Sequence, residues 1–198
     1  LAAGRALAPD AAAFPDAERL LAAAAELALD GLVVATPNAL HAQPVRAALG
    51  QGLAVFCQKP LGIDARETRA LLEAARRRDR RLAVDWSYRF TDGARTLRKL
   101  LEAGRLGEVF HVESAFHNAY GPDKPWCWDA ALSGGGALVD LGVHPLDLAL
   151  WLLGGPAITA VDGAAWRDGR RLPGRAVDDF ALARVALAQG RSLHVAVS

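Results

Sequence analysis

The chain has 198 residues, 52% of them hydrophobic, with 23 Lys and Arg set against 22 Asp and Glu for a formal net charge of +1. That length allows a sizeable core in one large domain or two small ones, and the charge balance argues against a nucleic-acid footprint or a polybasic membrane patch. Two distant cysteines, Cys57 and Cys127, argue against a disulfide framework or structural zinc, and no apolar run is long enough to span a bilayer.

In chain order, Leu1 to Ala8 reads as the tail of a helix closed by Pro9-Asp10, and Ala11 to Phe14 as a short strand. Asp16 is placed to cap an alanine- and leucine-rich helix from Ala17 to Leu29. After the Asp30-Gly31 turn, Leu32 to Ala35 is a short apolar run of the kind buried on both faces of a parallel sheet. Thr36-Pro37-Asn38 ends it, and a helix follows from about Leu40 to Leu49. Leu53 to Cys57 is the next strand, closed by Gln58-Lys59-Pro60. Asp64 and Glu67 form a capping box for a helix running to about Arg78, and the arginine run at its end suits the helix dipole. Leu82 to Trp86 completes the alternation, which predicts a doubly wound parallel sheet.

Beyond Thr91 the pattern changes. A helix to about Ala103 ends at Gly104, and an alternating strand runs from Gly107 to about Asn118. The irregular stretch Ala119 to Leu132 holds Tyr120, Trp126 and Trp128 and reads as a loop over a site. Strands at Ile158 to Trp166, Phe180 to Ala188 and the last residues predict an antiparallel sheet with one covered face. The expected division is therefore a parallel-sheet domain over 1–90 and a second, open-sheet domain over 91–198. The absence of Met and the uncapped final strand read as an internal piece of a longer protein, and the expected location is the cytoplasm.

Ser133 to Asp147 is the most informative stretch. A glycine run opens an apolar helix that continues to Leu153, and inside it Asp140, His144 and Asp147 recur at i, i+4 and i+7. That spacing puts all three on one helix face, which predicts a polar cavity beside it. Pro145 cannot donate to the carbonyl of Leu141, so a kink is expected there. From pattern alone, an Asp–His pair that braces a buried helix is an equally good reading. Lys59, leaving a strand directly into Pro60, reads either as a rigidly placed functional amine or as an ordinary surface lysine. His111, Glu113 and His117 share a strand face, but a half-exposed polar strand looks the same, so no metal is expected.

Taken in order, Ala35-Thr36-Pro37-Asn38 with His41, Lys59-Pro60, Tyr88-Arg89-Phe90, Gly104 to Gly107, Ser133 to Gly136, Asp140, His144 and Asp147 resemble the Gfo/Idh/MocA family of nicotinamide-dependent oxidoreductases. The resemblance covers nearly the whole chain. It implies a Rossmann domain binding NAD or NADP, followed by an open-sheet domain that receives a sugar, polyol or related small molecule. It implies Lys59, Asp140 and His144 as the catalytic set. Thr36, Pro37, Asn38, His41, Gln58, Lys59 and Pro60 would then face the cofactor, and Tyr88, Arg89, His117, Trp128, Lys59, Asp140 and His144 the substrate. Oligomerisation through the second sheet of the full-length protein is implied as well. Gln58 stands where the family has Glu, and the family's first strand and Gly-x-Gly-x-x-Gly turn are expected before Leu1. In that chemistry His144 is the candidate base, Asp140 orients it or binds a neighbouring hydroxyl, and Lys59 stabilises alkoxide character. A glycosidase using NAD transiently, or a ligand-binding remnant without turnover, is an alternative.

Overall fold

Short apolar strands alternating with helices build the first of two units in the computed structural model, which describes residues 6–174 and 176–198. This unit holds the chain up to Thr36 together with Leu40–Val84. Of the helix tail expected over residues 1–8, residues 1–5 lie outside the described residues, 6 and 7 are helical and 8 is not. Strands β1 (Gly31–Val34), β2 (Ala54–Cys57) and β3 (Leu82–Val84) are parallel and adjacent in that order. Helix α1 (Ala17–Ala22) precedes β1, while α2 (Ala42–Gly50) and α3 (Ala65–Arg77) connect β1 to β2 and β2 to β3.

Local signals act as expected at the caps. Asp16 accepts from the Arg19 N–H (2.8 Å) and Asp64 from the Glu67 N–H (2.7 Å), while the Glu67 carboxylate returns to the Ile63 N–H (2.9 Å). The core is Val34, Val45, Leu49, Val55, Cys57 and Leu71; burying each large aliphatic contributes about 1.5–3 kcal/mol.

Three expectations change. Residues 11–14 form no strand, because no described strand lies beside them to supply ladder partners. The α-helix expected to Leu29 stops at Ala22; the following turns close with Leu29 N–H on Ala24 O (3.0 Å) and Ala28 at φ 49°. Alanine propensity is too weak to override that ending. Finally, β1 and β2 are buried on one face only: Leu32, Val34, Val55 and Cys57 point inward, while Val33 is 69% and Phe56 41% exposed.

The second unit comprises Pro37–Ala39 and Asp85–Ser198. A 3-10 turn at Ser87–Phe90 leads into α4 (Asp92–Glu102), capped by the Thr91 hydroxyl. Then come β4 (His111–Phe116), a 3-10 turn at Pro125–Trp128, the short α5 (Ala130–Ser133), a π turn at Leu138–Gly142 and α6 (Val143–Leu152). Strands β5 (Ile158–Arg167), β6 (Arg170–Arg171), β7 (Phe180–Leu187) and β8 (Ser192–Val197) complete the unit.

The sheet order is β4-β8-β7-β5-β6. It is mixed rather than antiparallel, because β4 runs parallel to β8. The long connection between those strands, which includes α5, α6 and strands β5 to β7, is what makes parallel pairing reachable. Period-2 alternation sends Val185, Leu187, Leu193, Val195 and Val197 to the face packed with Ala149, Leu146 and Leu150 of α6, and leaves Leu182, Arg184 and His194 exposed. Among the described residues no helix is long and apolar enough to cross a membrane.

Candidate active site

The helix that carries Asp140 and His144 is anchored at its first residues. Gly134 ends α5 at φ 79°, a left-handed cap that favours glycine. The next amides converge on Asp178, in the loop before β7: Gly136 N–H donates to Oδ1 (3.1 Å), Ala137 N–H to the main-chain carbonyl (2.9 Å) and Leu138 N–H to Oδ2 (2.8 Å). Such close approach needs a residue without a side chain, since a Cβ on Gly136 would stand 1.9 Å from the Asp178 carbonyl oxygen. Asp178 is 6% exposed.

The kink expected at Pro145 is taken up one turn earlier, as the π turn over Leu138–Gly142. An extra residue in the turn is a common way for a helix to accommodate a missing i→i−4 hydrogen bond. It also disperses the polar face expected from ideal helical spacing. Asp140, inside the π turn, lines a cavity of about 270 Å³. His144, one turn on, lines a separate hollow with Tyr88, Ser114, Phe116 and Leu148. Asp147 is engaged elsewhere: Arg89 forms a bidentate pair with it, the Nε bond measuring 2.7 Å. Hydrogen bonding to Asp147, reinforced by its charge, holds the Arg89 guanidinium above its ordinary range despite partial burial.

Tyr88 meets the His144 ring edge-on at a centroid distance of 4.8 Å, and Phe116 lies at 6.4 Å. These rings fix the imidazole plane. Of the expected substrate-side residues in this unit, Tyr88 therefore lies against His144, while Arg89 is committed to Asp147.

The 270 Å³ cavity is walled by Trp126, Cys127 and Trp128 of the 3-10 turn, by the backbone of Gly135 and Gly136, and by Asn118, Asp178 and Asp179. The loop expected to cover a site lines this cavity. Arg167 stacks on Trp128, its guanidinium carbon 5.5 Å from the ring centroid. His117 does not line this cavity: its Nδ1 is 2.8 Å from the Ser198 hydroxyl and its ring stacks on Phe180.

At the carboxyl ends of β1 and β2 the expected cofactor-side residues divide by accessibility. Thr36 is exposed, and Pro37, Gln58, Lys59 and Pro60 are partly exposed. The Lys59–Pro60 peptide is cis. His41 is wholly buried, its Nδ1 2.8 Å from the Pro60 carbonyl and its Nε2 2.8 Å from the Thr36 carbonyl. A ring so enclosed ties the two turns together and presents no atom to a cofactor. Asn38, 6% exposed, donates through Nδ2 to the Ser133 carbonyl (2.8 Å) and lines the cavity beside Asp140. Cys57 sits behind these turns, and burial pushes its thiol up to about 12, so it is no nucleophile at neutral pH.

Among the described residues no three His, Cys, Asp or Glu side chains converge in a metal-binding group. Asp178 and the Arg89–Asp147 pair are invisible to pattern reading. Their partners lie 40 or more residues away, and the Val-Asp-Asp sequence before β7 carries no local cue.

Two family profiles match. One described as "Oxidoreductase family, NAD-binding Rossmann fold" covers residues 2–86, and one described as "GFO/IDH/MocA C-terminal domain" covers 94–198. Among curated proteins, D-glucoside 3-dehydrogenase of Escherichia coli (strain K12) is 32% identical over 139 residues, 70% of this chain and 40% of that protein. Inositol 2-dehydrogenase of Leifsonia xyli subsp. xyli is 33% identical over 175 residues, 88% of this chain and 48% of that protein. Among solved structures, GenD2 from gentamicin A biosynthesis in complex with NAD has a TM-score of 0.85 at 30% identity, covering 95% of this chain and 52% of that one. Levoglucosan dehydrogenase in complex with NADH and levoglucosan has a TM-score of 0.81 at 25% identity, covering 93% of this chain and 51% of its own. The chain thus spans about half the length of the proteins it matches.

Proposed function

Because this chain belongs to the Gfo/Idh/MocA family of oxidoreductases, we propose that its full-length protein transfers a hydride between NAD(P) and a hydroxyl or carbonyl of a sugar, cyclitol or related small molecule. The observation that carries this reading is the cavity under Trp126 and Trp128, with Asp140 in its wall. Aromatic faces and a carboxylate are the groups that hold a polyhydroxylated ring. Relatives named as glucoside, inositol and levoglucosan dehydrogenases support that substrate class.

The exposed ends of β1 and β2 fit a dinucleotide, since ligands of parallel sheets bind at the carboxyl ends of the strands. Thr36, Pro37 and the Gln58–Pro60 turn are accessible there to hold it. His41 supports both turns from behind. When bound, the nicotinamide supplies the redox step. His144 takes the proton from the reacting hydroxyl, its ring plane set by Tyr88. Lys59, at the carboxyl end of β2, is the group proposed to stabilise developing negative charge on a substrate oxygen. Asp140 holds a neighbouring hydroxyl. In the reverse direction His144 returns the proton to a carbonyl oxygen.

We propose the outer face of the second sheet as the surface through which the full-length protein self-associates. Asp162, Arg184, His194 and Glu113 are in direct cross-strand register on that face. The test is turnover by the full-length protein with NAD or NADP against glucose, methyl glucoside, myo-inositol and levoglucosan, followed by nicotinamide absorbance. Stoichiometric NAD(P)H formation is expected. Release of an aglycone from a glycoside without net cofactor reduction would overturn the reading.

A further inference from the structure

Three successive backbone amides, those of Gly136, Ala137 and Leu138, all donate to one residue, Asp178. Two reach its carboxylate and the middle one its main-chain carbonyl, so the residue grips the chain at three points. The carboxylate is buried, and it faces the first amides of the helical segment, where a negative charge is most favourable. Gly136 admits the grip because any Cβ there would collide with the Asp178 main chain.

The last gripped amide, Leu138, is the first residue of the π turn, and Asp140 lies two residues further. The Asp140 N–H in turn donates to the Gly136 carbonyl (2.9 Å), inside the gripped segment. Asp178 therefore fixes both where the π turn begins and where Asp140 sits. An α-helical register over the same residues would carry Asp140 around the helix axis relative to His144, since each residue then advances by roughly 100°.

We propose that Asp178 is a positioning residue for catalysis: from the loop before β7, it locks the π register that holds Asp140 in the wall of the cavity. This rests on the reading above that Asp140 and His144 act on substrate. Asp178 also lines the cavity, but both its carboxylate oxygens accept from backbone amides; its role is to keep another carboxylate within the small tolerance that catalysis allows.

Asp178→Asn and Asp178→Ala in the full-length protein test this, with two readouts. The first is amide hydrogen exchange. Gly136 and Leu138 should exchange faster in both variants, and more so in Ala, because Asn keeps one acceptor oxygen. The second is kinetic. For whichever sugar the wild type oxidises, kcat should fall roughly 10–100-fold in Asn and further in Ala, while cofactor affinity stays within about twofold. Wild-type kcat in either variant, or unchanged exchange at Gly136 and Leu138, would overturn the proposal. So would a parallel loss of kcat, cofactor affinity and melting temperature with Asn no better than Ala, since that is the mark of a merely structural residue. Wild-type protein that reduces no cofactor while the variants still show faster exchange would instead refute the dehydrogenase reading.

Discussion

Breaking the Arg89–Asp147 pair should destabilise the second unit unequally, depending on which partner is removed. The Arg89 side chain is 32% exposed and that of Asp147 12%. Arg89→Met strands a carboxylate that water scarcely reaches. The cost should approach the lower end of that for a broken buried pair, about 2–3 kcal/mol. Asp147→Asn leaves a guanidinium that is one-third in water and still has an amide oxygen to bond, so about 1 kcal/mol is expected. With both substitutions the loss should be smaller than the sum, giving a coupling of about 1–2 kcal/mol, above the range for exposed pairs because the contact is bidentate and partly buried. Urea denaturation of wild type, both single variants and the double variant measures this from the midpoints at constant m. The coupling should persist in 1 M salt, where surface pairs are screened. Hydrogen bonding to Asp147 raises the guanidinium above its ordinary range, so the stability linked to its protonation is complete at neutral pH and is lost as pH rises above the ordinary arginine range. A coupling of only a few tenths of a kcal/mol, or an Arg89 loss no larger than the Asp147 loss, would refute this account.

His144→Ala in the full-length protein should lower turnover by roughly 10²–10⁴-fold with little change in cofactor affinity; an unaltered steady-state rate would return His144 to a purely structural role. Lys59→Arg should impair turnover despite keeping the charge, because a planar fork does not replace a compact ammonium in a fitted site; steady-state kinetics equal to wild type would remove Lys59 from the mechanism. Cys57, raised from 9.0 to about 12 by burial, contributes stability that is complete below about pH 9 and declines as pH rises toward 12. Cys57→Val should relieve that alkaline loss by up to about 1.4 kcal/mol per pH unit, read from urea midpoints between pH 8 and 11, and identical slopes for both proteins would contradict it. Gly136→Ala should destabilise the fold by about 3 kcal/mol or more, because its Cβ meets backbone that cannot swing aside; a melting temperature within a degree of wild type would refute the close packing.

The sequence by itself determined whatever is encoded within a few residues. Asp16, Asp64 and Glu67 could be placed because a cap and its amide are three or four positions apart. The strand–helix alternation, the change of pattern after Thr91 and the tryptophan loop over a cavity are likewise local. Only the tertiary structure decided what long-range contact controls. The expected face of Asp140, His144 and Asp147 assumed ideal helical geometry. Asp178, 40 residues beyond Leu138, grips the start of that segment, and Arg89, 58 residues before Asp147, engages its carboxylate. The parallel pairing of β4 with β8 joins residues 81 positions apart, as at His111 and Ser192. The same holds for His41, whose ring was expected to face a cofactor and instead braces the Thr36 and Pro60 carbonyls. A side chain's type says which bonds it can make, but the fold decides which partner is within reach, because a buried polar group is stable only where its hydrogen bonds are met.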